Sequence, residues 1–444
     1  TIVHGFDLDM GLKQGSVFSP LLFNIFFGCI IKAWQVKLEG KGLPLMFNLK
    51  GDFLSLHCLN VRAQTESVFI TDLLFADDAE IVATSPEDLQ VMLDEFVNIT
   101  KAFGQEVSVK KTKVMVVQKR GEKKSDWPVN HFFVDGKVLE NVDVFTYVGG
   151  NENNSADMSN EVSQRLQRMS AGFNAFSDRV FMNPDIHLVT KLRFFVIGVL
   201  SGGLYGCATW NYTDKQMARF ESWQFRHLKK IMGNKWEDHV SYVDTLARIR
   251  GYGIEIYLMV LNIGIRRIRY LGHVLRMKDF RLPKMMLFGE VNMGRRVSGG
   301  QETSYFKCLK KELKAFHMDK GFVGLNRLAQ DRCVWKNLVD EGAGKFWEDW
   351  SLNRNDESYR RHVALIKKSW TGDVLPTDEF LLDGWNVKKR GEFYKIEQRE
   401  NEKVTVREGS KTAIHLLHKI HKQKYKVIHP DLSRVSRELA ALRK

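Results

Sequence analysis

Two adjacent carboxylates, Asp77 and Asp78, lie between short apolar runs in the segment Leu74-Phe-Ala-Asp-Asp-Ala-Glu-Ile-Val82. Val68-Phe69-Ile70 and Leu73-Leu74-Phe75 lead in, and Ile81-Val82-Ala83 leads out. The pattern predicts a β-hairpin whose tip carries the pair. A rigid tip bearing two carboxylates is one way to hold a divalent cation where a phosphoryl group is transferred. The same two residues also suit an Asx-turn, in which Asp hydrogen-bonds its own backbone.

Other residues invite chemistry around that tip. Gly11-Leu-Lys-Gln14-Gly15 is a loop in which glycine permits close backbone approach and Gln14 can hydrogen-bond a base or sugar edge. A plain loop-to-helix junction would use the same residues. Lys111, in Lys110-Lys111-Thr112-Lys113, is either a cation for a developing negative charge or a solvated turn lysine. Tyr147-Val148-Gly149-Gly150 closes a short strand. Trp223, Arg226 and Lys230 fall at i, i+3 and i+7, a shared helix face suited to a duplex backbone, with a core role for Trp223 as the competing reading.

The elements that must position these groups follow from local signals. Ser19-Pro20 predicts a helix start, with Ser19 as N-cap and Pro20 in the first position. The apolar run that follows predicts a buried helix to about Leu38. Ser85-Pro86-Glu87-Asp88 is a second helix start, with apolar residues from Leu89 to Val97 at helical spacing and a stop at Gly104. Val107–Val109 and Val114–Val117 read as strands, Asp135-Gly136 as a hairpin turn, and Val144–Val148 as a further strand. Beyond about residue 155 the apolar period becomes helical, over Glu161–Phe176, Leu188–Leu200, Asp214–Met232, Ser241–Ile249 and Ile254–Val274. Two more helical stretches, 304–316 and 324–340, follow a basic Gly/Ser loop at 291–304. From about 371 onward the periodicity weakens and basic residues accumulate.

The chain of 444 residues carries 67 Lys and Arg against 53 Asp and Glu, a net charge of +14 that suits a polyanionic partner. Basic clusters at 110–113, 226–230, 266–269 and 419–426 recur along it, with Trp210, Trp223, Phe225 and Trp236 near the second. No apolar run is long enough for a membrane span. Five scattered cysteines match no zinc spacing and read as reduced thiols of an intracellular protein, in nucleus and cytoplasm.

Taken in order, these segments resemble the reverse transcriptase of a non-LTR (LINE-type) retrotransposon. Gly11-Leu-Lys-Gln14-Gly15-Ser-Val-Phe-Ser19-Pro20-Leu-Leu-Phe-Asn24 is similar to that family's motif B. Phe75-Ala76-Asp77-Asp78 is similar to motif C, with Phe where many members have Tyr. Val107–Val116 is similar to motif D, and Phe145-Thr-Tyr147-Val148-Gly149-Gly150 to motif E, the primer grip. Leu271-Gly272-His273-Val274-Leu275-Arg276-Met277 resembles a segment found downstream of the polymerase in the same elements. The resemblance covers about residues 1–340.

What the resemblance implies is an α+β chain: a partial polymerase palm over 1–155, a helical thumb or connection over 156–290, a helical C-terminal region over 291–370, and a basic tail over 371–444. It implies two-metal nucleotidyl transfer with Mg2+ or Mn2+, on an RNA template, a DNA primer or target and deoxynucleoside triphosphates. Asp77 would be the metal ligand and Asp78 its neighbouring support. Gln14, Gly15, Ser19 and Pro20 would line nucleotide or template, and Lys111 would face the pyrophosphate. Tyr147, Val148, Gly149 and Gly150 would hold the primer, and Trp223, Arg226 and Lys230 the duplex. The third aspartate of such a site belongs upstream of motif B. Phe6-Asp7-Leu8-Asp9 lies too close to Gly11 to be that strand, and the chain begins with Thr1. The expectation is therefore a fragment lacking fingers and motif A, inactive alone. The alternative is a non-catalytic nucleic-acid-binding relic of a mobile element. Oligomeric state is not legible.

Overall fold

The computed structural model describes residues 11–12, 15–49, 65–117, 131–155, 157–235, 240–291, 305–318 and 321–369, together with strands between 385 and 409; apart from Phe322, side chains are described as far as residue 353. Residues 1–343 form one compact unit and 344–444 another. The segments at Asp7-Asp9, Gln14, 119–130, Trp236 and 292–304 lie outside the described residues.

The chain enters the first unit through α1 (Ser19–Gln35). Phe18, not Ser19, occupies the N-cap, and no side chain caps the helix; Pro20 sits in the first turn as expected. The helix also ends three residues before Leu38. Only Ile30, Ile31 and Trp34 bury fully, whereas Leu21, Leu22, Ile25 and Phe26 are exposed. The expected buried helix is thus buried over its second half alone. That half packs on α2 (Pro86–Ala102), where Met92, Phe96 and Ile99 join Ile30, Ile31, Trp34 and Leu38 in one cluster. Trp34 anchors the crossing, because its indole Nε1 donates to the Met92 carbonyl at 2.9 Å while its ring packs edge-on against Phe96. Helix α2 starts where its signals place it: Ser85 accepts from the Asp88 amide, and Gly104 follows the end with φ +73°.

Strand β1 (Leu43–Phe47) pairs antiparallel with β2 (Glu66–Ile70) on one edge and with β11 (Gly289–Val291) on the other. Leu45 is opposite Val68 and Val291, so a strand more than 240 residues later in sequence returns to complete this sheet. Then come the β3–β4 hairpin (Asp72–Phe75 and Asp78–Ile81) and a group of two-residue strands: β5 (Lys113–Val114), β6 (Phe133–Val134), β7 (Lys137–Val138) and β8 (Glu140–Asn141). Asp135 and Gly136 turn β6 into β7, both with positive φ, as an Asp-Gly hairpin requires. Residues 107–109 are not a strand, and the second expected strand shrinks to Lys113–Val114, because Lys110–Thr112 turn back through amide bonds to the Ser108 carbonyl. The β9–β10 hairpin (Val144–Tyr147 and Gly150–Asn153) closes this part.

The remainder of the unit is helical. It comprises α3 (Ser159–Ala175), α4 (Leu188–Phe194, continued by a π-helical turn over Phe195–Leu200), α5 (Asp214–Ile231), α6 (Tyr242–Gly251) and α7 (Met259–Leu275). After them come α8 (Leu282–Leu287), α9 (Tyr305–Ala315), α10 (Gly321–Gln330) and α11 (Arg332–Ser369), which belongs to this unit only as far as residue 343. Helix α5 begins with a capping box in which Thr213 and Gln216 satisfy each other's backbone amides. The expected helix start at Ile254 is delayed to Met259, with Ile254, Ile256 and Leu258 buried in extended chain. In the second unit, β12 (Trp385–Arg390), β13 (Phe393–Glu400) and β14 (Lys403–Gly409) form an antiparallel meander.

Candidate active site

Phe75 and Asp78 are paired across the β3–β4 hairpin, so Ala76 and Asp77 form a two-residue turn. Ala76 has φ +54°, the left-handed region that costs a residue with a Cβ on the order of 1 kcal/mol. Such strain persists only where the surroundings fix the backbone. Both strands are tied down: Gln35 of α1 donates to the Asp72 carboxylate at 2.8 Å, and the Val82 amide donates to Thr71 beyond the last ladder pair. Asp77 and Asp78 are both exposed at the end of this fixed hairpin. Hard oxygen donors of this kind fit magnesium or manganese. Among the described residues no group of three or more His, Cys, Asp or Glu side chains is placed to hold a metal ion. The pair therefore fits as part of a ligand set.

Asp78 and Glu80 lie two apart on β4 and so point to one face. Glu80 is half-buried, and one of its carboxylate oxygens has no hydrogen-bond partner among the described residues. Burial, and then repulsion from Glu152 of β10, push its pKa above the ordinary carboxylate value. Tyr147 ends β9 beside the same group. Its hydroxyl donates to the Leu73 carbonyl at 3.2 Å, packing the β9–β10 hairpin against β3. Burial first, and then Glu80, Asp78 and Glu152, hold that phenol above its usual pKa and keep it a donor.

The turn after Tyr147 is built on positive φ at Val148 (+46°) and Gly149 (+77°), the backbone of a tight hairpin. A Cβ on Gly149 would sit 3.3 Å from the Tyr205 ring. Behind the turn lies an ion pair that the sequence reading missed. Arg165 and Glu161, four apart on α3, have side chains only 2% and 3% exposed and meet at 2.6 Å. Arg165 Nη2 donates to the Gly149 carbonyl at 2.7 Å, and Nη1 reaches the Gly202 carbonyl. The other Glu161 oxygen accepts from the Asn151 amide at 2.9 Å and from its side-chain nitrogen at 2.7 Å. The available signal was a charged residue inside the stripe Val162, Arg165, Met169, Phe173, with an acid one turn earlier.

The remaining sequence candidates are dispersed. Gly15 is exposed with φ +86°, Ser19 and Pro20 open α1, and Gln14 lies outside the described residues. Lys111 is exposed in its turn, and its amide donates to the Ser108 carbonyl. Trp223 is not a surface residue: it is 4% exposed, donates from Nε1 to Ser170 Oγ at 2.8 Å, and stacks on Phe195 and His227. Arg226 and Lys230 are exposed. At about 100° per residue the three span an arc of roughly 60°, and the edge of the buried face falls inside it. Burial holds His227, packed against that indole, below the usual histidine pKa. Among the described residues no helix is long and apolar enough to cross a membrane.

Residues 4–151 match the family model of reverse transcriptases (RNA-dependent DNA polymerases). Over 280 residues the chain is 23% identical to a transposon-derived protein of Caenorhabditis elegans, spanning 61% of this chain and 95% of that protein. No solved structure matches the chain. The family match runs through both the Asp77-Asp78 hairpin and the Tyr147–Gly150 turn, and it ends where Arg165 and Glu161 begin to act on that turn from outside.

Proposed function

We propose that residues up to about 155 are part of the palm of an RNA-directed DNA polymerase from a retrotransposon of the LINE type, and that α3–α7 form its thumb. The observation that carries the reading is the junction of two hairpins within the family match. Tyr147 bonds the backbone of β3, the strand that delivers Asp77 and Asp78. A polymerase needs that adjacency, because the carboxylates that hold metal must sit beside the turn that holds the primer end.

In this reading Asp77, with Asp78 beside it, would hold Mg2+ or Mn2+, and the cation would supply stabilisation of charge on the reacting oxygens. Tyr147, kept protonated, fixes the height of the turn by donating to Leu73. The backbone of Val148 to Gly150 approaches the primer, and Gly149 allows that approach. Arg226 and Lys230, exposed on α5, contact phosphates of the duplex. Trp223 supports them from the core.

A non-catalytic nucleic-acid-binding relic is the second reading, favoured by the absence of a three-ligand cluster among the described residues. Binding of an RNA–DNA primer–template across a salt series tests what both share. Affinity should fall steeply with salt, with a logarithmic slope of about −0.9 per phosphate contacted. Asp77→Asn should leave it within about twofold, since the carboxylate serves chemistry. A duplex affinity insensitive to salt would sink both readings. Primer extension with magnesium and four nucleotides, lost in Asp77→Asn, would exclude the relic.

A further inference from the structure

Arg165 lies outside the segment that matches the polymerase family, yet its guanidinium ends on that segment's last turn. We infer that Arg165 is a positioning residue, which with Glu161 locks the Tyr147–Gly150 turn at a fixed height over the Asp77-Asp78 hairpin and so sets where a primer terminus is presented. The inference rests on the polymerase reading above.

Four observations converge on it. First, each nitrogen of the Arg165 fork has its own acceptor, with Nε on Glu161, Nη2 on the Gly149 carbonyl and Nη1 on the Gly202 carbonyl. A lysine, with one compact ammonium, cannot serve three acceptors in that geometry. Second, Glu161 extends the clamp to the second strand through both nitrogens of Asn151, whose side chain also donates to Gln164 and accepts from Thr146 across the hairpin. Third, the turn is also packed by Tyr205, whose ring lies against Gly149 and 5.7 Å from the Arg165 guanidinium. Fourth, the end of β9 that enters the turn is pinned by the Tyr147 hydroxyl, which donates to the Leu73 carbonyl. The turn is thus held between β3 and α3.

Burial gives the clamp its stiffness. With both side chains almost wholly withdrawn from water, the charge-assisted bonds act at low dielectric and have no water to exchange with. Movement of the helix would move the turn with it. Trp210 continues the connection: its ring lies 5.9 Å from the Arg165 guanidinium, and its carbonyl accepts from Arg267 of α7.

The test uses the full chain and a primer–template whose primer ends in 4-thiothymidine, cross-linked by light and mapped by mass spectrometry. Native protein should cross-link the primer terminus within residues 145–150. Arg165→Lys should keep the native near-ultraviolet circular dichroism and a duplex Kd within about twofold, while terminal cross-linking falls by up to about a hundredfold, the scale expected when a reacting end is displaced by about 1 Å. Equal cross-linking by folded Arg165→Lys overturns the positioning role and leaves the polymerase reading standing. Absence of both duplex binding and terminal cross-linking in native protein overturns the two together. Should Arg165→Lys fail to fold, Glu161→Gln, nearly isosteric, is read by the same criteria. Arg226→Ala supplies the contrast, with weaker duplex binding and an unshifted cross-link map.

Discussion

Gly272 stands in the last turn of α7, within the helix, where alanine is ordinarily better by up to about 1 kcal/mol. Here the sign should reverse. A Cβ on Gly272 would lie 2.2 Å from Trp335 Nε1 and 2.6 Å from two further atoms of the indole. Trp335 is 2% exposed, and Nε1 donates to the Ile268 carbonyl at 3.0 Å, so the ring cannot swing into solvent without breaking that bond. Overpacking costs about 1–3 kcal/mol, and an unpaired buried donor about 1–3 kcal/mol more. Set against the helix gain, Gly272→Ala should lose roughly 1–5 kcal/mol. Gly172 of α3 is the control, since its added Cβ meets nothing within 4 Å; Gly172→Ala should gain up to about 1 kcal/mol. Urea unfolding at constant slope reads both midpoints, which should move in opposite directions. In a Trp335→Leu background the alanine at 272 should cost little, so the two changes are strongly non-additive. A Gly272→Ala midpoint at or above native, or additive effects with Trp335→Leu, would refute the reasoning. It would also undo the structural reading of Leu271–Met277, in which Leu271, Val274 and Leu275 are buried, Arg276 bonds the Ala329 carbonyl, and His273 faces outward.

Two further outcomes follow from buried charge. Arg267, 0% exposed, pairs with Glu312, donates to the carbonyls of Ala208 and Trp210, and lies against the rings of Tyr212 and Tyr305. Arg267→Met should cost about 3–5 kcal/mol by stranding the Glu312 carboxylate, while the double change with Glu312→Leu should recover most of it, both read by urea unfolding; equal losses would show that the pair is not what stabilises the site. Glu80 has its folded pKa raised above the ordinary 4.5 by burial and by Glu152, so the native fold holds this proton longer than the unfolded chain does. Native stability should therefore fall as pH rises from about that value through the folded pKa, and Glu80→Gln should be the more stable protein at pH 7 but not at pH 4. A melting-temperature difference independent of pH would exclude burial as the cause.

The β3–β4 hairpin, the Asp-Gly turn at 135–136, the start of α2 and the run of helices were legible because each is specified by local chemistry: turn residues, caps and period; the first turn nonetheless lies one residue earlier than expected, at Ala76-Asp77, with Asp78 already paired in β4. What was not legible depended on partners distant in sequence. Helix α1 reads as apolar nearly all round, but a helix is buried only where another layer meets it, and α2 meets the Ile30–Trp34 half. Likewise β1 gives no sign that residues 289–291 will pair with it. At the candidate site, Asp77 and Asp78 stood out by type and spacing and Tyr147 only through its segment's resemblance to motif E, whereas Glu80 was hidden as an ordinary strand residue until Glu152 came beside it.

Arginine shows why the missed contacts share a pattern. Arg165 and Arg267 each replace an apolar residue in the buried stripe of a long helix, as Glu312 does in α9. Counting charge assigns both arginines to a nucleic-acid surface, the sensible default in a chain of net charge +14. Helical phase assigns them to the core, and there a guanidinium is tolerated only if its donors are met. Both sets of donors are met largely by backbone carbonyls of segments that helix packing alone would leave free: Gly149 and Gly202 for Arg165, Ala208 and Trp210 for Arg267. A cation in an apolar stripe thus marks a loop to be captured. In this chain the loop captured by Arg165 is the Tyr147–Gly150 turn, whose Tyr147 bonds the strand leading to Asp77 and Asp78.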